Sequence, residues 1–204
     1  MISPSFRCFG IVPAAGVSKR MGAPKLLLPY QAATLIEHVL AQWAGSQVEQ
    51  TLVVLNPGNQ ALIETCKSTR AVHVIPDPAP AEMKHSVQAA LKWIEKNLNP
   101  NPNDAWLLAP ADLPHLSSRI IDLVISGYDP CRPSIVVPRR GQRRGHPALF
   151  PMSLAGAVDD LQQDQGVNHL FDLHDVADVQ VDRWDILADV DTPDDYQRAT
   201  KDRS

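Results

Sequence analysis

This chain of 204 residues predicts an α/β fold: a mostly parallel central sheet with helices on both faces. Strand-like apolar runs alternate with amphipathic helix patterns through the first two-thirds of the chain, the order that right-handed crossovers build into a parallel sheet. The length suits one such domain over residues 1–204 and is short for two. Hydrophobic residues make up 44% of the chain and charged residues 21%, an ordinary globular composition with no sign of disorder.

Residues 6–14 form the first strand-like run, and a loop rich in Gly, Ser, Lys and Arg follows at once. Thr34 and Glu37 make a capping-box pair, after which Leu35, Ile36, Val39, Leu40 and Trp43 recur at helical spacing until Gly45 stops the helix. Residues 51–55 are β-branched and apolar and close on Asn56-Pro57-Gly58, a strand running into a turn. A helix over 61–67 and a short strand over 72–75 come next, and the prolines within 76–80 force a loop. Ser86 opens a second helix with Val87, Ala90, Leu91, Ile94 and Leu98 on one face. An Asn/Pro linker over 97–103 leads to a buried strand, 105–109, ending at Pro110-Ala111-Asp112. Ile120, Ile121, Val124 and Ile125 mark a further helix, and 135–137 a strand. Beyond it the pattern loosens into a basic glycine loop, a strand at 147–150, helical stretches, and an alternating strand over 176–181. This last third reads as an insertion over the sheet. Thr192-Pro193-Asp194-Asp195 opens the final helix, with Thr192 as cap, Pro193 in the first position and Asp195 completing a box.

The formal net charge is −4 and no dense basic block occurs, whereas nucleic-acid grooves show a basic stripe; nucleic acid is not an expected partner. The local cluster Arg139, Arg140, Arg143 and Arg144 sits among glycines and suits a small anionic ligand. No apolar run has the length of a membrane span. The short apolar stretch 9–15 is broken by Pro13 and runs into Lys19 and Arg20, unlike a signal peptide. Cys8, Cys66 and Cys131 are far apart, odd in number and without a CxxC pair, so free thiols in a reducing cytoplasm are expected. No histidine pair has HxxxH spacing, and His38 and His73 read as packing or surface residues.

The chemistry gathers where the first strand ends. From Val12 to Lys25 the chain reads Val-Pro-Ala-Ala-Gly-Val-Ser-Lys-Arg-Met-Gly-Ala-Pro-Lys. Ligands of α/β sheets bind outside the carboxyl ends of the strands, and small residues at Ala14, Ala15 and Gly16 let a phosphate approach backbone N–H groups. Lys19, Arg20 and Lys25 bring three cations within seven residues, matching the charge of a triphosphate. Five residues separate Gly16 from Gly22, and Lys25 lies three further on. That spacing fits neither GxxxxGK[ST] nor GxGxxG, which sets aside a P-loop ATPase and a dinucleotide-dependent dehydrogenase.

The loop resembles the signature of nucleotidyltransferases of the molybdenum-cofactor type, (L/P)-A-(A/G)-G-x-S-x-R-M-G-x-x-K, with matches at Gly16, Ser18, Arg20, Met21, Gly22 and Lys25. Later motifs keep the family's order over nearly the whole chain. The run from Leu107 to Pro114 is similar to the strand that ends in the metal-binding Asp of an Asp-x-Pro motif, here Asp112. Arg144-Gly145-His146-Pro147 with Phe150 resembles an acceptor-side Arg-Gly-His-Pro element, and Asp164-Gln165-Gly166 a Gly-Asp-x-Gly. The run from Asp189 to Asp195 resembles a closing Asp-Ile-Asp-Thr-Pro-Glu-Asp.

The resemblance implies a Rossmann-like nucleotidyltransferase sheet and a cytoplasmic enzyme. Its reaction would move a nucleotide from an NTP to the phosphate of molybdopterin or its molybdenum form, releasing pyrophosphate. Pro13, Ala14, Ala15, Gly16, Ser18, Arg20, Lys25 and Ser86 are the implied nucleotide-binding residues, with Lys25, Arg20 and Asp112 catalytic. Mg²⁺ would be held by Asp112 and Asp191, with Asp189 as the substitute for Asp191. Asp112 has a second reading as a plain loop cap, and Asp191 one as part of a helix start. Arg144, Gly145, His146 and Pro147 would meet the acceptor. Ala14-Ala15-Gly16 favours CTP over GTP, because the resembled family pairs Ala-Ala-Gly with cytidylyl transfer and a methyl at Ala15 narrows the slot for a base. A molybdoenzyme or its chaperone is the implied recipient of the product.

Two departures stand out: Glu82-Met83-Lys84-His85-Ser86 replaces the family's Gly-Met-Ser-Ser-Ser, and Gln163 replaces the glycine before Asp164. Two other readings stay open, the first because it shares the loop and the sheet, the second because of the unusual Glu82-Met83-Lys84-His85 stretch. One is a cytidylyl- or uridylyltransferase acting on a sugar or polyol phosphate, against which Arg-Gly-His-Pro speaks. The other is a non-catalytic nucleotide- or cofactor-binding accessory protein, which pyrophosphate release would distinguish from an enzyme.

Overall fold

The computed structural model describes residues 6–16, 24–182 and 190–201. The first half of the chain forms β1 (Cys8–Pro13), β2 (Pro29–Tyr30), β3 (Ala33–Thr34), α1 (Leu35–Ala44), β4 (Gln50–Val54), α2 (Gln60–Cys66), β5 (Val72–Val74) and α3 (Met83–Leu98). The second half forms β6 (Ala105–Leu108), α4 (Ser118–Ser126), β7 (Ile135–Arg140), β8 (Arg143–Arg144), β9 (Ala148–Pro151), α5 (Leu170–Leu173), β10 (Val176–Gln180) and α6 (Pro193–Lys201). The main sheet runs β10-β7-β9-β6-β1-β4-β5, with β8 paired to β7. β1 lies parallel between β4 and β6, β5 joins β4 in parallel, and β10 joins β7 in parallel. β9 alone among the path strands runs antiparallel, between β6 and β7.

The mostly parallel sheet and its two helical layers agree with the alternation in the sequence. The last third differs from expectation: it is no insertion laid over the sheet, because β7, β9 and β10 are strands of the sheet itself. The arginine-rich turn returns the chain as antiparallel β9, and an antiparallel pair needs no helical crossover. That absence is why the strand–helix rhythm fades there.

Alternation along β1 separates the two cores. Cys8 and Val12 join the cluster that includes Leu35, Ile36, Leu62 and Ile121, while Phe9 and Ile11 join the one that includes Val87, Ala90, Ile94 and Phe150. Thr34 and Glu37 form the expected capping box at α1, with Thr34 N donating to Glu37 Oε2 at 2.9 Å. α3 begins at Met83, three residues before the Ser86 start read from the pattern. Glu82 N donates to His85 Nδ1 at 3.2 Å, so a histidine side chain takes up the helix-entry amide.

Gly10 sits in the middle of β1 against α1. A Cβ there would lie 2.7 Å from two ring atoms of Trp43, which is itself fully buried. Gly10→Ala is therefore expected to destabilise the protein by about 1–3 kcal/mol through overpacking. Urea unfolding with an unchanged m-value checks it, and wild-type stability would show that Trp43 yields freely.

At the amino edge of the sheet, Asp104 is buried and accepts from Arg7 N, Nε and Nη2 at 2.8, 3.0 and 2.7 Å and from Asn101 N at 2.8 Å. Arg7 Nη1 reaches Leu98 O at 3.1 Å, and Met152 N donates to Asp104 O at 2.8 Å. This network ties the starts of β1 and β6 to the ends of α3 and β9.

Candidate active site

Backbone pairing continues past the end of β6: Ala109 N donates to Ile11 O and Ala111 N to Pro13 O, each at 3.3 Å. It carries Asp112 alongside the residues that follow β1, Ala14-Ala15-Gly16. Val190 N donates to Asp112 O at 3.0 Å, which docks the start of the closing motif on the same spot. Thr192 and Asp195 then cap α6, Thr192 N donating to Asp195 Oδ2 at 2.8 Å. Hydrogen bonds from Thr192 and Arg198 hold the Asp195 carboxyl down at about 2.

Lys25 opens a single 3-10 turn after Pro24. Its Nζ donates to Asp112 Oδ2 at 2.5 Å, Val190 O at 2.9 Å and Asp191 Oδ1 at 3.0 Å. Burial pulls the Lys25 pKa down, but the hydrogen bonds and charges of Asp112 and then Asp191 outweigh it and hold the ammonium above the ordinary lysine range. Both carboxylates thus have an oxygen in contact with one cationic atom, close enough for one small cation to reach both.

Asp112 Oδ1 is buried and has no hydrogen-bond partner among the described residues. A buried carboxylate oxygen left unpaired is costly, and a hard cation would satisfy it. No group of three or more His, Cys, Asp or Glu side chains forms a metal cage among the described residues. Mg²⁺ does not need one, because one or two carboxylates with waters and substrate phosphates complete its octahedron. Asp112 and Asp191 fit that pattern.

In the phosphate-approach loop, Ala14 N is used by Val54 O at 2.8 Å, and Asn56 Nδ2 donates to Ala15 O at 3.4 Å. Ala14 and Ala15 are buried, Gly16 is exposed, and a Cβ at Gly16 would meet nothing within 4 Å. The open approach therefore starts at Gly16, two residues beyond the first alanine. Pro13 closes β1, and Ser86 lies buried in the early turns of α3. Ser18, Arg20 and Asp189 lie outside the described residues.

The expected acceptor residues converge only partly. His146 lines an open cavity of about 370 Å³ together with Glu82, Lys84, Phe150, Asn168 and Phe171. A ring nitrogen of His146 lies 3.4 Å from Leu108 O, on the strand that leads to Asp112. Gly145 N is used by Pro138 O at 2.9 Å, and Pro147 is buried. Arg144 lies on the exposed ribbon, its guanidinium 5.8 Å from the centroid of the Phe171 ring and 3.6 Å from Asp178. It thus reaches the cavity through Phe171. Phe171 and Asn168 were not singled out from sequence; they sit in a segment without a strong periodic signal, brought to the cavity by tertiary packing.

A parallel sheet with a small-residue loop after its first strand, and a lysine and two aspartates gathered beside it, belongs to the class of nucleotidyltransferases. The chain is a member of the MobA-like NTP transferase domain family, matched over residues 10–179. It is 24% identical to the probable molybdenum cofactor guanylyltransferase of Bacillus mycoides (strain KBAB4), over 97% of this chain and 98% of that one. It is 25% identical to the molybdenum cofactor cytidylyltransferase of Escherichia coli (strain K12), over 91% of this chain and 92% of that one. Among solved structures, Rv0371c of Mycobacterium tuberculosis H37Rv in complex with manganese superposes with a TM-score of 0.76 at 27% identity, covering 96% of this chain and 98% of that one. Among the described residues no helix is long and apolar enough to cross a membrane.

Proposed function

We propose that this nucleotidyltransferase moves CMP from CTP onto the phosphate of molybdopterin or its molybdenum form and passes the product to a molybdoenzyme or its chaperone. The observation that carries the reading is the meeting of Lys25, Asp112 and Asp191 beside the Ala14-Ala15-Gly16 loop. The molybdenum cofactor transferases among its relatives support the acceptor, and the manganese-bound relative supports a divalent metal.

The chemistry asks little of the protein beyond positioning and charge. An acceptor phosphate oxygen attacks the α-phosphorus of the NTP; a new P–O bond forms, and the bond to the bridging oxygen breaks with its electron pair leaving on pyrophosphate. No general base is needed, because the attacking phosphate is already ionised at neutral pH. Backbone N–H groups from Gly16 onward, with Ser18 and Arg20, receive the β- and γ-phosphates. Lys25 has a flexible stem and three donors, so it can turn from its carboxylates to the α-phosphate as substrate charge arrives. Asp112 and Asp191 would hold Mg²⁺, which when bound would supply neutralisation of the charge that builds on the phosphate oxygens. Asp112 stays fixed by its strand-end pairing, and Asp191 by the capped helix that follows it.

Purified protein incubated with Mg²⁺, molybdopterin and each of the four NTPs is expected to release pyrophosphate and form a cytidine dinucleotide. No pyrophosphate with any NTP would leave a binding protein in place of an enzyme. CTP is expected to bind roughly tenfold or more tightly than GTP, the scale on which a methyl group in a pocket discriminates ligands, because Ala14-Ala15-Gly16 is the pattern the resembled family pairs with cytidylyl transfer. Calorimetry with both nucleotides checks this, and a tighter GTP complex overturns the preference.

A further inference from the structure

The acceptor-side cavity has one wall held by a buried ammonium. Lys84, in the first turn of α3, is only 4% exposed and lines the cavity. Its Nζ donates to the carbonyls of Gln162 and Gln163, each at 2.6 Å, and of Gln165 at 3.1 Å. An ammonium carries three protons, and these three carbonyls take them. Glu82 Oε2 lies 3.7 Å from Nζ and offsets its charge. Lys84 therefore has no donor left for an anionic substrate, and its work is on the chain itself.

The clamped segment is turn and irregular backbone, without a sheet ladder to fix it. Gly166, Val167 and Asn168 follow the last clamped carbonyl directly and line the cavity, as does Phe171. Two more α3 side chains continue the attachment at four-residue intervals, the spacing that places them on one helix face. Gln88 Nε2 donates to Val158 O at 3.0 Å, and Lys92 lies 3.7 Å from Asp159. The Lys92 pair is exposed and contributes little; the Lys84 bonds are part-buried and made by a buried ammonium, and charge-assisted hydrogen bonds of that kind are the stronger ones. Lys84 and Gln163 are also two of the four positions, with Glu82 and His85, where this chain has large polar residues and the resembled family has small ones, and here the Lys84 ammonium meets the Gln163 carbonyl.

We propose that Lys84 is a positioning residue: by gathering the carbonyls of residues 162, 163 and 165, it holds residues 166–171 as a cavity wall and so sets the affinity for the acceptor. The functional half rests on the reading that this cavity receives the acceptor. In Lys84→Met, amide hydrogen exchange over residues 162–171 is expected to accelerate without a matching change in β1 and β4. With molybdopterin and the NTP varied in turn, the KM for molybdopterin should rise roughly 10- to 100-fold, the scale of a wall displaced by about an ångström. The NTP KM should stay within about twofold, the pattern of a lost acceptor contact rather than general damage. If Lys84→Met fails to fold, Lys84→Gln, which keeps N–H donors but loses the charge, carries the same measurements. Unchanged exchange overturns the clamp. Faster exchange with an unmoved molybdopterin KM overturns its role in affinity, and His146→Ala then identifies what failed. If His146→Ala raises the molybdopterin KM, the cavity is the acceptor's and only the Lys84 proposal falls; if it does not, the acceptor reading of the cavity falls as well.

Discussion

Lys25→Met is expected to lower turnover by about 10²–10³-fold, the usual loss for one donor that acts on charge developing in the transition state. Nucleotide affinity should change far less, because a contact that strengthens during reaction appears in kcat rather than in binding. The structure adds a second expectation. Lys25 Nζ contacts Asp112 and Asp191 at once, in the place between them that a divalent cation would share. Removing it leaves two facing carboxylates without their cation, so Mn²⁺ titrated without nucleotide should bind Lys25→Met more tightly than the wild type. Electron paramagnetic resonance of free Mn²⁺ measures this without any turnover. Weaker Mn²⁺ binding in the variant would mean that Lys25 and the metal do not compete, and normal turnover would make Lys25 a structural ion-pair partner alone.

Asp104→Ala is expected to cost about 3–5 kcal/mol, the loss typical when one partner of a buried charged pair is removed. The value should fall toward the lower end, because Arg7 is 30% exposed and can regain water. The variant also leaves the amides of Arg7 and Asn101 without the acceptor they share. Asp104→Asn keeps an acceptor oxygen and should cost less. Urea unfolding of both variants tests the order, and equal stability of Asp104→Ala and the wild type would reduce this network to surface decoration. Turnover well below the unfolding midpoint should be little changed, since the network lies at the amino edge of the sheet and the lysine–aspartate cluster follows its carboxyl ends.

Local chemistry in the sequence determined much of the fold. The Thr34–Glu37 and Thr192–Asp195 boxes, the apolar spacing of α1 and α3, and the β-branched run of β4 each specify an element from residues a few places apart, and each is present. α3 starts earlier than its apolar stripe suggests, because the His85 side chain serves the entry amide and nothing in the periodicity marks that. The place of the candidate site was also legible, since a small-residue loop after a parallel strand and a carboxylate at the end of the neighbouring parallel strand lie at the same sheet edge.

What joins them depended on tertiary structure. Lys25 and Asp112 are 87 positions apart, and Lys25 and Asp191 are 166 apart; their contact follows from β6 lying beside β1 and from Val190 docking on Asp112, which no short-range pattern encodes. The strand order of the last third was likewise invisible, because antiparallel β9 enters between β6 and β7 through a turn that carries no helical signal. Lys84 shows the limit most plainly. On the sequence it is one more polar residue near a helix start, and only the fold brings the three carbonyls that occupy its protons. Periodicity and capping act over one or two turns of chain, whereas a buried charge takes its role from whichever distant backbone the topology places against it.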